Sequence, residues 1–276
     1  MKRLSLIFAI MAAMIFAVSC GSNKPESKVL VLYYSQTSNT KLVAEEIAKK
    51  LNADIEEIKA VNPYDGDFNA TIERCLKERE EGVVPEIKRL KSKIEKYETI
   101  FIGYPIWFGT YAPPVAKLLE QVDLSNKIVV PFCTFGSGGL ESSMRDLRKA
   151  QPRAKIVNGY GVRRARMDAM PAEIDQFLKE NHFINGEYLV LEDFPELREV
   201  TEEEASIFDK AVSGYQMIHA KALMAASRPI LGGTEYLFYA VDLPRENNGN
   251  MPPAGEMKIF VTLIDGQSPV FTRVVR

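Results

Sequence analysis

The chain has 276 residues, 46% of them apolar and 26% charged, with a formal net charge of −2. That length accommodates one larger and one smaller domain, and the composition suits a globular protein with a substantial core. The near-neutral balance excludes the basic face of a nucleic-acid-binding protein, and three cysteines with two histidines and no CxxC pair exclude a structural zinc or iron–sulfur site, so no metal is expected.

At the amino terminus Lys2 and Arg3 precede an apolar run from Leu4 to Val18. This is the charged-then-apolar order of a signal peptide, and it is short of the roughly 20 residues a spanning helix needs. The run ends in Ala17-Val18-Ser19-Cys20-Gly21, followed by a polar tether to residue 27. This resembles a bacterial lipoprotein lipobox, although Ala17 stands where a larger aliphatic residue is usual. The resemblance implies a lipid on Cys20, a place at the bacterial cell envelope outside the cytoplasm, and membrane contact through that anchor alone.

Beyond the tether, Val29 to Tyr34 is a continuous apolar run, as in a strand buried on both faces. Leu42, Val43, Ile47 and Leu51 recur at helical spacing. Asp54 to Ile58 is a more polar strand suited to a sheet edge. The charged stretch 67–96 predicts helix broken near Gly82 and Pro85, and its mixed signs predict a solvated face. Thr99–Tyr104 is the next buried strand. A helix follows on Val115, Leu118, Leu119 and Val122, with Pro113 and Pro114 in its first turn. Ile128–Cys133 and Lys155–Val162 are further strands, alternating with helices over 140–150 and 171–179. Five alternations predict an α/β fold: a five-stranded parallel sheet with helices on both faces and ligands beyond the carboxyl ends of its strands.

After about residue 184 the pattern changes. Thr201-Glu202-Glu203-Glu204 reads as a capping box opening a helix with an apolar stripe through Ile207, Phe208, Ala211, Val212 and Tyr215. Strands over 235–241, 257–264 and 270–275 are separated by turn signals at Asn247–Asn250 and Asp265-Gly266. The expected division is therefore a signal and tether over 1–27, an α/β domain over 28–184 and a small α+β domain over 185–276.

Three loops follow strands one, three and four. The first, Ser35-Gln36-Thr37-Ser38-Asn39-Thr40, offers backbone N–H groups and hydroxyls to an anion at a helix amino terminus; the alternative is a turn that merely caps the helix. The second, Pro105-Ile106-Trp107-Phe108-Gly109-Thr110-Tyr111-Ala112-Pro113-Pro114, holds the single Trp. Its indole could stack on a planar ring or simply belong to the core. The third, Thr134-Phe135-Gly136-Ser137-Gly138-Gly139, lets N–H groups approach a polar ring edge or forms an ordinary strand-to-helix turn.

In that order and on those strands, the segments YYSQTSNT, YPIWFGTYAPP and PFCTFGSGG resemble the phosphate loop and the two isoalloxazine loops of short-chain flavodoxins. The resemblance covers about residues 28 to 182. It implies noncovalent FMN and strand order 2-1-3-4-5. By position, Ser35, Thr37, Ser38, Asn39 and Thr40 would hold the phosphate. Pro105, Ile106, Trp107, Phe108 and Gly109 would flank the ring, and Thr134, Phe135, Gly136, Ser137 and Gly138 its polar edge. The third loop lacks the acidic and aromatic residues of long-chain flavodoxins, so the second stacking partner is open between Phe135 and Tyr111.

Cys133 reads as a buried core residue rather than a redox thiol. Cys75 has no evident role, and His182 reads as structural. Arg163, Arg164 and Arg166 read as a solvated basic cluster, with a carboxylate or an acidic partner as the alternative. The carboxy-terminal domain resembles a cystatin-like fold. Pro229-Ile230-Leu231-Gly232-Gly233 stands where an inhibitor would carry Q-x-V-x-G, so a docking or spacer module is expected before protease inhibition. The expected function is electron transfer or flavin-dependent reduction with no side-chain acid or base, the partner being a redox protein or a small acceptor such as a quinone. The alternative is a flavin-free flavodoxin scaffold used for binding.

Overall fold

The computed structural model describes residues 29–65, 67–215, 218–243 and 255–275. The signal segment with Cys20 and the Asn247–Asn250 turn lie outside the described residues.

The first unit runs β1 (Val29–Tyr33), α1 (Asn39–Leu51), β2 (Asp54–Glu57), α2 (Phe68–Glu80), β3 (Thr99–Trp107), β4 (Thr110–Tyr111), α3 (Pro113–Gln121), β5 (Ile128–Phe135), α4 (Leu140–Ala150), β6 (Lys155–Ile156), β7 (Tyr160–Arg163) and α5 (Met170–Glu180). Strands β2, β1, β3 and β5 are parallel neighbours in that order, and β6 and β7 both pair with β5. The expected 2-1-3-4-5 order is therefore present, but the sheet has seven strands rather than five. One addition is β4, which folds back on β3.

The other addition comes from a break in the fifth strand. Val129 pairs with Ile156 and Phe132 with Tyr160, so three steps on β5 oppose four on its neighbour. The extra residue is a bulge, placed opposite Pro131, which has no N–H to give the ladder.

Alternate residues of the strands feed two cores, one on each face of the sheet. Val31, Tyr33, Phe101, Val130 and Phe132 meet α1 and α5 through Val43, Ile47, Ile174 and Leu178. Leu30, Leu32, Ile100, Ile102 and Val129 meet α3 and α4 through Val115, Leu118 and Leu147, and Cys75 of α2 joins them. Each fully buried side chain of this kind contributes about 1.5–3 kcal/mol relative to exposure. Leu42, expected on the buried stripe of α1, faces solvent instead; Ala44 and Ala48 complete that stripe.

The stretch 67–96 is α-helical only through α2, which Asp67 caps by accepting from the Ala70 N–H at 2.9 Å, and closes on a single 3-10 turn at Ile94–Lys96. Past Gly82 the chain runs beside β2, with Ile87 bridged to Ala60. The Glu56 carboxylate accepts from the N–H groups of Lys91 and Ser92 at 2.6 and 2.8 Å. Those donors find the sheet edge, and Pro85 bars the helical alternative.

The second unit holds β8 (Arg198–Glu199), α6 (Glu202–Val212), β9 (Ala220–Ile230), β10 (Gly233–Asp242), β11 (Glu256–Ile264) and β12 (Val270–Val275). Its five strands form an antiparallel sheet in the order β12-β11-β10-β9-β8. The capping box is complete: the Thr201 hydroxyl accepts from the Glu204 N–H, and the Glu204 carboxylate accepts from the Thr201 N–H. Phe208 of α6 packs on Phe238, Ile259, Val261 and Phe271 of the sheet.

The two units touch at the third loop. The Tyr215 hydroxyl donates to the Gly136 carbonyl at 2.5 Å, and the Val274 N–H to the Ser137 carbonyl at 3.1 Å. Arg273 pairs with Glu141 at 3.0 Å. Arg163 corrects the expectation of a solvated cluster. It is 8% exposed, with its guanidinium carbon 4.6 Å from the Tyr215 ring and 4.5 Å from that of Phe271. Arg166 pairs with Glu173, and only Arg164 is left to solvent.

Candidate functional site

The carboxyl ends of β1, β3 and β5 bring the three predicted loops to one edge of the parallel sheet. In the first loop Thr37 and Ser38 are exposed, Ser35 and Asn39 half-buried, and Thr40 is 1% exposed. The Ser35 hydroxyl accepts from the Lys41 N–H at 3.2 Å, and the Asn39 amide donates to the Thr37 hydroxyl at 3.3 Å. Ser38 turns the chain into α1 with φ of 64° and makes no side-chain cap. Among the described residues, the backbone N–H groups of Gln36 through Thr40 have no protein acceptor. Five such donors at the start of a helix form a cradle for an anion. The Thr40 hydroxyl is committed elsewhere, 2.8 Å from that of Thr134. This bond ties the first loop to the third.

The second loop is shorter than expected. β3 runs on through Trp107, and Phe108 and Gly109, at φ of 49° and 81°, turn it back into β4. Two successive positive φ values define the tight turn that matches strand twist, and Gly109 adopts its angle without strain. Trp107 is half-buried and lies edge-on to Tyr34 and Tyr64, with ring centroids 5.9 and 5.1 Å away. The Tyr34 hydroxyl donates to Gln36 Oε1 at 2.6 Å, and the Gln36 amide donates to the Tyr64 carbonyl at 2.5 Å. The Tyr64 hydroxyl donates to Glu78, and Arg74 lies over its ring at 3.9 Å. Burial pushes both phenols above their ordinary range, and the Glu78 carboxylate raises that of Tyr64 further, so both phenols stay protonated beside Trp107. Phe108 is 47% exposed beside the Arg79 guanidinium.

In the third loop Gly136 and Ser137 are exposed and Gly138 and Gly139 half-buried. Gly139 runs close to the second loop: a Cβ on it would stand 2.6 Å from Ile106 Cγ2. The Ser142 hydroxyl donates to the Gly109 carbonyl at 2.5 Å, so α4 fixes the second loop against the third. The carbonyls of Gly136 and Ser137 are taken by the second unit, while the N–H groups of Ser137, Gly138 and Gly139 have no protein acceptor among the described residues.

Neither stacking candidate stands free. Tyr111 packs on Tyr104 at 5.8 Å, and Phe135 packs against the α3–α4 core. Sequence reasoning missed Tyr34, Tyr64 and Arg74. The loop after β2 also leaves a carboxyl edge, so the rule that singled out three loops would have found Tyr64 if applied to strand two.

The sequence profile of the flavodoxin family matches residues 28–177. The chain belongs to the flavodoxin family. An uncharacterised protein of Methanocaldococcus jannaschii is 30% identical to it over 129 residues, covering 45% of this chain and 67% of the relative. Among solved structures, a candidate flavoprotein of Bacteroides eggerthii is similar at 32% identity and a TM-score of 0.48, covering 54% of this chain and 97% of its own. A flavoprotein of Lactobacillus acidophilus, solved in complex with FMN, is similar at 24% identity and a TM-score of 0.46, covering 52% of this chain and 99% of its own. The matches to these proteins leave about half of the chain uncovered, and the family match stops within α5 of the flavodoxin domain.

Proposed function

We propose that this flavodoxin-family chain binds FMN noncovalently and works as an electron carrier or flavin-dependent reductase, anchored at the bacterial cell envelope by a lipid on Cys20. The observation that carries the reading is the row of five unsatisfied N–H donors at the α1 start, facing the same sheet edge as Trp107 and the glycine loop. The residues fit the group. The N–H groups of Gln36–Thr40, with the exposed Thr37 and Ser38 hydroxyls, hold the phosphate by charge-assisted hydrogen bonds. Thr40 serves through its N–H. Trp107, with Pro105, Ile106 and Phe108, shields one ring face from water. The N–H groups of Ser137 to Gly139 favour negative charge at the ring's polar edge. When bound, FMN supplies one- or two-electron transfer. The electron partner is a redox protein or a small acceptor such as a quinone. The second unit, read as a cystatin-like module, docks on the third loop and plays no inhibitory part.

One observation favours a flavin-free scaffold: Tyr34 and Tyr64 already pack edge-on against Trp107. Paired titrations separate the readings. Thr37→Ala removes a phosphate partner worth roughly 1.5–3 kcal/mol, about one to two decades in affinity, for FMN and leaves riboflavin nearly unchanged. Trp107→Ala weakens both ligands. Equal effects of Thr37→Ala on the two ligands sink the loop assignment, and a wild-type protein that takes up neither flavin establishes the scaffold reading. For the anchor, Cys20→Ser is expected to move the protein from the membrane fraction to the soluble one; unchanged fractionation removes that part.

A further inference from the structure

Between the two units lies a cleft of about 630 Å³ that reaches the third loop at Phe135, Gly138 and Gly139. Its walls are apolar, from Leu140 and Val162 on one side and Ile230 on the other. Its mouth carries Leu189, Leu191 and Leu231, which are 38%, 42% and 53% exposed. This apolar rim is a built feature. The Gln176 amide donates to the Leu189 carbonyl at 2.6 Å and accepts from the Leu189 N–H at 3.0 Å, and Arg228 donates to the Glu192 carbonyl at 2.8 Å. A strap pinned at both places holds leucines toward water at a cost that a bound apolar body would offset.

The charges in the cleft are unevenly matched. Arg166 is paired with Glu173, Arg228 with Glu235 and Arg273 with Glu141. Arg163 also lines the cleft and is more than nine-tenths buried. Among the described residues no carboxylate reaches it, and its Nε has no hydrogen-bond partner. Tyr215 and Phe271 engage the guanidinium as π partners and bring no anion to it. A buried guanidinium in apolar surroundings is costly until an anion meets it, and its planar fork matches a carboxylate. The remaining acids of the lining, Asp168 and Glu180, are exposed at the rim.

We propose that this cleft is a binding site for an amphipathic organic anion, a medium-chain monocarboxylate whose head pairs with Arg163 and whose hydrocarbon body lies between the two units. This site borders the proposed flavin site at Phe135, Gly138 and Gly139 but rests on Arg163, and titrations with and without FMN keep the two distinguishable. Calorimetric titration of the full chain with octanoate and with octanol isolates the head group. Octanoate is expected to bind about ten- to a hundredfold more tightly, the range of a charge-assisted pair. Arg163→Met should erase that difference while leaving the octanol affinity in place. Ala172→Trp, on the exposed face of α5 at the cleft, should weaken both ligands without touching the core. Octanoate binding no tighter than octanol in the wild type overturns the proposal, as does full octanoate affinity in Arg163→Met. If Arg163→Met does not fold, Ala172→Trp decides: unchanged octanoate affinity rejects the site.

Discussion

Glu204 concentrates several roles in one carboxylate. It closes the capping box of α6, accepts from the Thr201 hydroxyl at 3.0 Å, and takes two 2.8 Å hydrogen bonds from Arg198. The Arg198 guanidinium, ahead of the Thr201 donors, holds its pKa down to about 2. A carboxylate depressed in the folded state stabilises fully above its unfolded value and loses that contribution as the pH falls toward the folded one. The window here runs from about 4.5 down to about 2. Arg198 is 56% exposed, so solvent screening trims the ion-pair share. Glu204→Gln is expected to destabilise by on the order of 2 kcal/mol at pH 7. Urea unfolding of both proteins at pH 7 and at pH 3.5 should show the gap closing in acid; a gap that stays constant rules out this account. The box was legible because its chemistry is local, a Thr and a Glu three residues apart. Arg163 was not, because the aromatic rings that cover it come from residues far along the chain, and no spacing rule links them.

At the level of elements, the buried strands and the helices between them were readable from periodicity, while the ends of β3 and β5 were not. Both strands run into stretches read as loops, because pairing with β4 and β7 extends the ladder past the last strongly apolar residue. β9 was not among the strands read from the pattern. Its first half is rich in Ala, with Ala220, Ala222, Ala225 and Ala226, and lacks the β-branched signature of a strand. The three loops were found from their order, but their internal commitments, such as Thr40 to Thr134, belong to tertiary contact. The join of the second and third loops rests on Gly139, held at φ of 112° against Ile106. Gly139→Ala should cost roughly 2–3 kcal/mol, from backbone strain and steric overlap together. Gly82→Ala, at φ of 65° with open space around it, should cost only about 1 kcal/mol. Denaturation midpoints compare the two directly, and equal costs mean that the contact with Ile106 contributes nothing.

For the molecule as a whole, the second unit covers one side of the third loop and stands on Arg163. Residues 28–184 contain both cores of the parallel sheet, so we expect them to fold alone. Without Tyr215 and Val274 the Gly136 and Ser137 carbonyls lose their donors, and the loop gains freedom. The truncated protein should therefore bind FMN about fivefold more weakly than the full chain, the effect of roughly 1 kcal/mol of hydrogen bonding. Parallel flavin titrations check this, and identical affinities would show that the two units share a border without coupling. The buried cysteines carry a different consequence. Cys75 and Cys133 are free, and burial pushes the first thiol up to about 11 and the second well above its ordinary value. At neutral pH a thiol near 11 is thiolate in only about one molecule in ten thousand, and thiolate is the form that attacks. Enclosed in packed helix and strand, neither sulfur can enter disulfide exchange or take up an oxidant while the fold stays closed.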